Sequence, residues 1–146
     1  MRAVLQRVSR ARVSVDGETT GQIGRGILVL LGVAVDDTDA DGIRLVDKIV
    51  NLRIFDDESA KMNLSLLDVA GGLLIVSQFT LYGDASRGRR PSYIRAAAPE
   101  TANRLYELFV AESRKYLDNV QTGRFQAMMD VELVNDGPVT ILLESR

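Results

Sequence analysis

The feature that most constrains the fold is an apolar run at residues 27–35, ILVLLGVAV, interrupted only by glycine. A bilayer crossing needs about 20 apolar residues, so this run is far too short for one, and no membrane partner is predicted. A continuous apolar run of this length is typical of a strand buried on both faces of a sheet. We therefore expect residues 27–35 to form a central strand.

Strand patterns lie on either side of this run. Apolar residues alternate with polar ones through residues 2–15, and Asp16-Gly17 is a hairpin turn pair before a second strand at 18–23. A further apolar strand at 73–76 leads directly into a hydroxyl-rich segment. These patterns predict an antiparallel hairpin and at least two buried strands.

Two helices are predicted from apolar residues at helical spacing. Residues 36–39 are rich in aspartate and cap a helix that ends near Leu52. Pro99 begins the longest helix, which we expect to end near Asn119. The segment 54–60, which follows the first helix, is typical of a turn.

The residue pattern near the end of the chain predicts two final strands, at 124–134 and 139–143, joined by a turn at 135–138. With 146 residues, 46% of them hydrophobic, the chain is long enough for one domain with its own core and too short for two. We expect a single domain over residues 1–146, in the α+β class, with antiparallel and mixed strands and two main helices.

The chain contains no histidine and no cysteine, which limits the chemistry of any site. A Ser-His-Asp relay, a thiolate nucleophile, a disulfide and a His/Cys zinc site are all excluded. Catalysis must use hydroxyls, carboxylates, backbone amides or the substrate itself, and we expect no metal and no cofactor. The lack of cysteine and of a leader pattern predicts a cytoplasmic protein.

A hydroxyl-rich motif, SQFTLYGD, occupies residues 77–84 at the end of a predicted strand. Ser77 and Thr80 could present hydroxyls to a ligand, and backbone N–H groups near Gln78 and Phe79 could hold a developing oxyanion. The alternative is structural, because both hydroxyls could satisfy backbone groups at the strand end while Phe79 packs inward. The motif alone does not decide between these hypotheses.

A second motif, NDGPVT, occupies residues 135–140. Its Gly137-Pro138 pair joins a flexible residue to one without an N–H, and about 5–6% of X-Pro bonds in folded proteins are cis. Residue type alone therefore favours an ordinary trans turn. Arg7 lies amid the apolar alternation of the first strand, where it is either buried against backbone carbonyls of this loop or exposed to solvent.

Together the two motifs resemble the signatures SQFTLYG and NxGPVT of the D-aminoacyl-tRNA deacylase family, in the same order and at similar places. The likeness extends over the whole chain, including MRAVLQRV at residues 1–8 and GRRPSY at 88–93. It implies a compact, strand-rich, barrel-like homodimer. In that dimer a cis Gly137-Pro138 dipeptide from each subunit projects into the active site of the other.

The resemblance also implies an activity, which is hydrolysis of the ester bond of D-aminoacyl-tRNA and of mischarged glycyl-tRNA. L-aminoacyl groups are excluded sterically at Gly137 and Pro138. Two mechanisms fit this activity, because either Thr80 attacks as a nucleophile or the ribose 2′-hydroxyl assists. We favour the second, since Thr80 has no neighbour in its motif that could activate it. The resemblance assigns catalysis to Ser77, Gln78, Phe79 and Thr80, and substrate binding to Arg7, Ala102, Phe125 and Met129. Core packing is the alternative for Phe125 and Met129.

A basic segment at residues 86–95, the arginine loop, is a candidate site of contact with tRNA. The formal net charge is −2, from 18 basic and 20 acidic residues, which argues against broad polyanion binding. Contact with tRNA phosphates is one hypothesis for the loop, and a solvated loop that pairs with the chain's acids is the other. The arginines concerned are Arg87, Arg89, Arg90 and Arg95.

Two other functions stay open on the residues alone. A noncatalytic RNA-binding module would use the arginine loop and would bind RNA without ester turnover. A hydrolase of small esters or amides would use Thr80 as its nucleophile and would accept substrates that lack a ribose 2′-hydroxyl. Thr80→Ala would abolish this second activity, whereas it would spare much of a substrate-assisted route.

Overall fold

The first strand organises the sheet, because both of its edges are paired. In the computed structural model, which describes all residues 1–146, β1 (Arg2–Val15) pairs antiparallel with β3 (Gly26–Gly32) along its first half and with β2 (Glu18–Ile23) along its second. Its other edge pairs antiparallel with β8 (Asp130–Glu144). The predicted hairpin of β1 and β2 is confirmed.

Parallel strands complete the sheet. β3 pairs with β6 (Gly72–Ser77), and β6 pairs with β7 (Val120–Thr122), all in the same direction. The sheet curls until β2 approaches β7, so that a Cβ on Gly21 would lie 2.6 Å from the carbonyl oxygen of Thr122. β3 is central, as predicted, although it ends before residue 35. The strand-rich, barrel-like α+β fold is confirmed.

Two main helices pack against the sheet, as predicted. The first, α1 (Asp39–Asn51), follows Thr38, whose backbone N–H and hydroxyl donate to the Asp41 carboxylate at 2.8 and 2.9 Å. Burial alone would raise the pKa of Asp41, but these hydrogen bonds and the charges of Arg146 and the N-terminal amine lower it to about 2. The carboxylate is therefore charged at neutral pH, and it fixes the start of the helix.

The second main helix, α3 (Pro99–Ser113), begins with proline but ends earlier than its apolar pattern predicts. The N–H groups of Lys115 and Tyr116 donate to carbonyl oxygens three residues back, so the chain tightens into turns. The expected end near Asn119 was wrong for this reason. No helix in the structure has the length and apolarity that a bilayer crossing requires.

The segment between α1 and β6 holds more structure than the predicted turn. β4 (Phe55–Asp56) and β5 (Met62–Leu64) form a two-stranded hairpin, and the short helix α2 (Leu66–Val69) follows it. Phe55 is fully buried, and the Asp57 carboxylate holds the loop by accepting hydrogen bonds from three later residues. The predicted turn is the loop of this hairpin, where the Ala60 N–H donates to the Asp57 carbonyl oxygen at 3.0 Å. The strands beside it were not predicted, because strands this short show no measurable alternation.

β8 is one long interrupted strand, where the sequence predicts two strands joined by a turn. Its first part pairs residues 130–134 with residues 10–14 of β1, and its last part pairs 140–144 with 2–6. Both parts run antiparallel to the same strand, and residues 136–139 bulge out between them. Apolar alternation on both sides of the bulge fits one strand as well as two, so the pattern did not distinguish them.

The core lies on both faces of the curled sheet. Along β6, Leu73 and Ile75 belong to a larger cluster that includes the helices, whereas Leu74 and Val76 belong to a smaller cluster on the opposite face. The central strands are thus buried on both sides, as their continuous apolar runs predict.

Gly26→Ala should destabilise this sheet strongly. Gly26 faces Gly72 across the parallel β3–β6 pair, and a Cβ on Gly26 would overlap the Gly72 carbonyl oxygen. Because neither backbone can yield, we expect the free energy of unfolding, measured by urea denaturation, to fall by about 3 kcal/mol. Gly24→Ala is the matched control, since nothing lies within 4 Å of its Cβ position. Equal stability of the two variants would contradict this account.

Candidate active site

The first motif lies where the parallel strands end. Ser77 is the last residue of β6 and pairs with Leu31 near the end of β3, and β7 ends beside them at Thr122. Because these strands run in the same direction, their carboxyl ends and the loops that follow share one edge of the sheet. A 3₁₀ helix, Phe79–Tyr82, begins at this edge.

This 3₁₀ helix leaves two backbone N–H groups free. The first N–H groups of a helix have no acceptor inside it, and those of Phe79 and Thr80 donate to no group outside it. The N–H of Gln78, expected to be an oxyanion donor, instead donates to the Leu31 carbonyl oxygen at 2.8 Å. The available donors are therefore at Phe79 and Thr80, and both residues are exposed.

The Thr80 hydroxyl makes its hydrogen bond with an amide rather than with a base. The side-chain NH₂ of Gln78 donates to the hydroxyl oxygen. Since an amide NH₂ cannot accept a proton, this contact does not activate Thr80 as a nucleophile. Ser77 is half-buried beside them. No group of acidic side chains in the structure is arranged to hold a metal ion.

Tyr82 anchors the other end of the 3₁₀ helix. Its ring is buried, and the guanidinium carbons of Arg2 and Arg95 lie 4.7 and 5.7 Å from the ring centre. Arg2 also donates to the Leu81 carbonyl oxygen at 3.2 Å. Burial, and then the charge of Asp37, raise the pKa of the Tyr82 hydroxyl to about 12, so this ring stays uncharged at neutral pH.

A buried arginine holds the second motif. Arg7 is 7% exposed, and its Nε and Nη1 atoms donate to the carbonyl oxygens of Asp136 at 3.2 Å and Ile54 at 2.7 Å. Its guanidinium also lies 3.3 Å from the Asp136 carboxylate and 3.7 Å from that of Asp56. Of the two hypotheses for Arg7, the buried side chain bonded to the Gly-Pro loop is the one that the structure adopts.

The loop that carries Gly137 and Pro138 projects from the sheet on a fixed base. The side-chain amide of Asn135 donates to the carbonyl oxygens of Arg7 and Val139 at 2.9 and 3.0 Å. The Gly137-Pro138 peptide bond is cis, and Gly137 has a φ of +112°. Both residues of the pair are exposed.

The two motifs lie far apart within one chain. Ser77 pairs with Leu31 and Leu31 with Ala3, whereas the bulge leaves β1 near Arg7. The distance along β1 between these points is about 13 Å, and the strand spacings from β8 through β1 and β3 to β6 add about 14 Å across the sheet. The structure therefore does not bring Gly137 to residues 77–80 of its own chain.

The expected pocket residues divide between the two faces of the sheet. Phe125 follows β7 and packs on Tyr106 of α3, with ring centres 6.0 Å apart. The Tyr106 hydroxyl donates to the carbonyl oxygen of Ile75, near the end of β6, at 2.8 Å. Ala102, one turn earlier on α3, is buried in the same larger cluster. Met129 packs instead against the smaller cluster.

The arginine loop extends from the site as a turn with a paired base. Asp84 and Ser92 exchange backbone hydrogen bonds of 2.8 and 2.9 Å. Arg87, Arg89 and Arg90 lie between them, exposed and without an ion pair to any acid of the chain. The alternative in which the loop pairs with the chain's own acids is therefore not the arrangement in the structure.

Comparison with known proteins decides the family. The family described as D-Tyr-tRNA(Tyr) deacylase matches residues 4–144. Proteins named D-aminoacyl-tRNA deacylase from Thermosipho africanus and Syntrophobacter fumaroxidans are 61% and 62% identical over 146 residues, which cover 100% of this chain and 98% of theirs. The chain belongs to the D-aminoacyl-tRNA deacylase family. It is therefore an enzyme, a hydrolase of the deacylase class.

Solved structures share the fold of this deacylase. A protein described as c-Myc DNA Unwinding Element Binding Protein superposes with a TM-score of 0.95 at 45% identity, covering 100% of this chain and 99% of its own. A probable eukaryotic D-amino acid tRNA deacylase superposes with a TM-score of 0.85 at 20% identity, covering 98% of each chain. At that identity the second likeness shows the fold alone.

Residues that support the candidate site by contact, and that the sequence did not single out, are Arg2, Tyr82, Tyr93 and Tyr106. Tyr93 packs against Phe79 with ring centres 5.2 Å apart. Each of these residues contacts a part of the chain distant in sequence, so its partner could not be predicted. The available signals were the segments that resemble the family, which contain Arg2, Tyr82 and Tyr93 but not Tyr106.

Arg7→Met should loosen the Gly-Pro loop of the deacylase. The substitution leaves the Asp136 and Ile54 carbonyl oxygens without their buried donor, so we expect the free energy of unfolding to fall by about 2 kcal/mol. Amide hydrogen exchange in the bulge should become faster. Arg12→Met is the control, because Arg12 lies on the same strand in an exposed pair with Glu132 and should cost about 0.5 kcal/mol or less. Unchanged exchange in Arg7→Met would refute its anchoring role.

Proposed function

We propose that this chain, as a single domain over residues 1–146, hydrolyses the ester bond of D-aminoacyl-tRNA and of mischarged glycyl-tRNA. The products are tRNA and the free amino acid. The observation that carries the proposal is the pair of free N–H groups at Phe79 and Thr80, exposed at the sheet edge in a member of this family. Adjacent backbone donors are what the oxyanion of an acyl-transfer reaction requires.

The substrate assists its own hydrolysis. The ribose 2′-hydroxyl adjoins the ester and helps water to attack the carbonyl carbon, while the N–H groups of Phe79 and Thr80 stabilise the negative charge on the carbonyl oxygen. The bond from that carbon to the ribose oxygen then breaks, and the ribose oxygen takes up a proton. Thr80 is a poor nucleophile, because its partner Gln78 is not a base. Ser77 and Gln78 shape the site.

A homodimer completes each site. The Gly-Pro loop is exposed, and within its own chain it lies about 13 Å along and about 14 Å across the sheet from residues 77–80. β8 pairs with β1 along one edge only, so a 15-residue edge stays open next to this loop. A second copy that packs here by two-fold symmetry brings its Gly-Pro loop to the site of the first copy. By the same symmetry, the loop of the first copy enters the site of the second.

The loop selects the configuration of the α-carbon. Backbone carbonyl groups of Gly137 and Pro138 stand where the Cβ of an L-aminoacyl group would lie, whereas a D-aminoacyl group turns its side chain toward open space. Glycine has no Cβ and passes. The site therefore accepts many D-amino acids, because it does not contact their side chains.

The remaining residues fix the loop or bind the substrate. Arg7 fixes the loop through the Asp136 carbonyl oxygen. Ala102 and Phe125 line the pocket of the terminal adenosine, where Phe125 stacks on the base. Met129, on the smaller cluster, is the pocket residue with the least structural support. The phosphates of tRNA are contacted by Arg87, Arg89, Arg90 and Arg95, so binding weakens as salt rises.

Nucleic-acid binding in addition to ester hydrolysis is the second candidate. One observation favours it, which is the name of the solved relative at 45% identity and a TM-score of 0.95, a DNA unwinding element binding protein. Unpaired arginines in the arginine loop would supply such binding. This candidate predicts that RNA or DNA binds even when it carries no D-aminoacyl ester.

Phe79→Pro and Phe79→Ala separate the backbone donor from the side chain. Both variants lose the ring, but only proline removes the N–H, and proline fits the first position of a helix. We expect kcat for D-aminoacyl-tRNA to be about 100-fold lower in Phe79→Pro than in Phe79→Ala. Thr80→Ala should keep most of the activity. Equal kcat values in the two Phe79 variants would exclude this N–H as an oxyanion donor.

Gly137→Ala tests the filter. A Cβ at Gly137 would overlap Nη2 of Arg7 and lie 3.3 Å from Val139, so the loop must shift. We expect D-aminoacyl-tRNA hydrolysis to fall by about tenfold, or the preference for D- over L-aminoacyl-tRNA to shrink by that factor. Gly17→Ala is the control, because Gly17 also has a positive φ, +81°, but nothing lies within 4 Å of its Cβ position. Full activity with unchanged selectivity in Gly137→Ala would count against the filter.

A further inference from the structure

Two aromatic side chains form an exposed corner beside the oxyanion donors. Phe79 and Tyr93 pack edge to face, with ring centres 5.2 Å apart and ring planes at 67°. Phe79 is 55% exposed and Tyr93 is 40% exposed, and the neighbouring Ile94 is 85% exposed. Large aromatic rings usually bury most of their surface, so an exposed pair next to a reaction site indicates a ligand with a flat apolar face.

The chain holds this aromatic corner in place from both sides. Phe79 begins the 3₁₀ helix, and Tyr93 directly follows the Asp84–Ser92 backbone pair at the base of the arginine loop. The Tyr93 ring also lies against Gly83, where a Cβ would come within 3.0 Å of the ring atom Cε1. A surface that is already ordered loses little conformational entropy when its ligand binds.

Unpaired positive charge adjoins the corner. Arg87, Arg89 and Arg90 are exposed on the arginine loop, shortly before Tyr93, and no acid of the chain pairs with them. Exposed rings next to free guanidinium groups are the combination that binds single-stranded nucleic acid, because bases stack on the rings and phosphates contact the cations. The charge therefore favours a nucleotide over an apolar peptide at this corner.

We propose that the Phe79–Tyr93 corner is a stacking site for a second nucleobase, the one that precedes the terminal adenosine in the unpaired 3′ end of tRNA. This inference rests on the proposed function, which puts the ester at Thr80 and the terminal base at Phe125. The corner is then left for the next base, and the arginine loop for the phosphates that follow. Since every base has a flat face, the site stacks on any base.

Two substrates test this site. One is D-aminoacyl-tRNA, and the other is a D-aminoacyl ester of adenosine alone, which has no second base. Tyr93→Ala should raise KM for the tRNA by about tenfold more than it raises KM for the adenosine ester. Tyr93→Trp should restore the KM for tRNA, because it restores a ring. Tyr116→Ala is the control, since Tyr116 is also 40% exposed but follows the far end of α3.

The outcomes that would overturn the site are equally specific. If KM changes by the same factor for both substrates, Tyr93 only supports the turn at Gly83. If the kinetic constants for both substrates are unchanged, the corner binds no base. Binding of uncharged tRNA decides the matter independently of catalysis. Tyr93→Ala should weaken binding of intact tRNA by about tenfold, but not of tRNA trimmed of its unpaired 3′ end. If the wild-type protein hydrolyses neither ester, the proposed function fails, and this binding result still decides the stacking site.

Discussion

The pairing of β1 on both edges is the constraint on which the positions of all functional groups depend. Through β3 it sets the register of β6 and so places Ser77, and along its other edge it carries β8 with the Gly-Pro loop. Arg7 holds the chain where the pairing of β8 with β1 is interrupted, because it donates hydrogen bonds to the carbonyl oxygens of Asp136 and Ile54. A buried cation is costly unless it is paired, and the carboxylates of Asp136 and Asp56 offset that cost here.

In the proposed function, the chemistry of the site depends on backbone groups rather than on titrating side chains. It assigns stabilisation of the oxyanion to the N–H groups of Phe79 and Thr80, and exclusion of the L-aminoacyl substrate to the carbonyl groups of Gly137 and Pro138. Such groups have fixed positions and do not titrate near neutral pH, so rate and selectivity depend on how rigidly the fold holds two turns. Arg2 and Arg95 on the Tyr82 ring hold one turn, and Arg7 holds the other. A chain without histidine or cysteine is adequate for this chemistry, because an aminoacyl ester is already activated.

How far the sequence predicted the structure depended on the range of the interactions involved. Continuous runs and long alternations predicted β1, β6 and α1, because burial on one or both faces is recorded in local pattern. The end of α3, the hairpin at Phe55 and the β8 bulge were not predicted, since each depends on tertiary contacts or on pairing with a distant strand. The same limit applied to the site. Motif residues 77–80 were found from sequence, but the use of the Gln78 N–H by Leu31 and the contact of Phe79 with Tyr93 are properties of the folded chain.

The central claim is that two copies of the chain build each site. Heterodimers of Phe79→Pro with Gly137→Ala, isolated through two different affinity tags, test it most directly. If the loop acts across the interface, one of the two sites combines the intact turn of the Gly137→Ala subunit with the intact loop of the Phe79→Pro subunit. The heterodimer then hydrolyses D-aminoacyl-tRNA at about half the wild-type rate with full selectivity. If the loop acts within its own chain, every site carries a defect, and activity stays at the mean of the two parent homodimers. That result, or a failure to recover any heterodimer, would contradict the account.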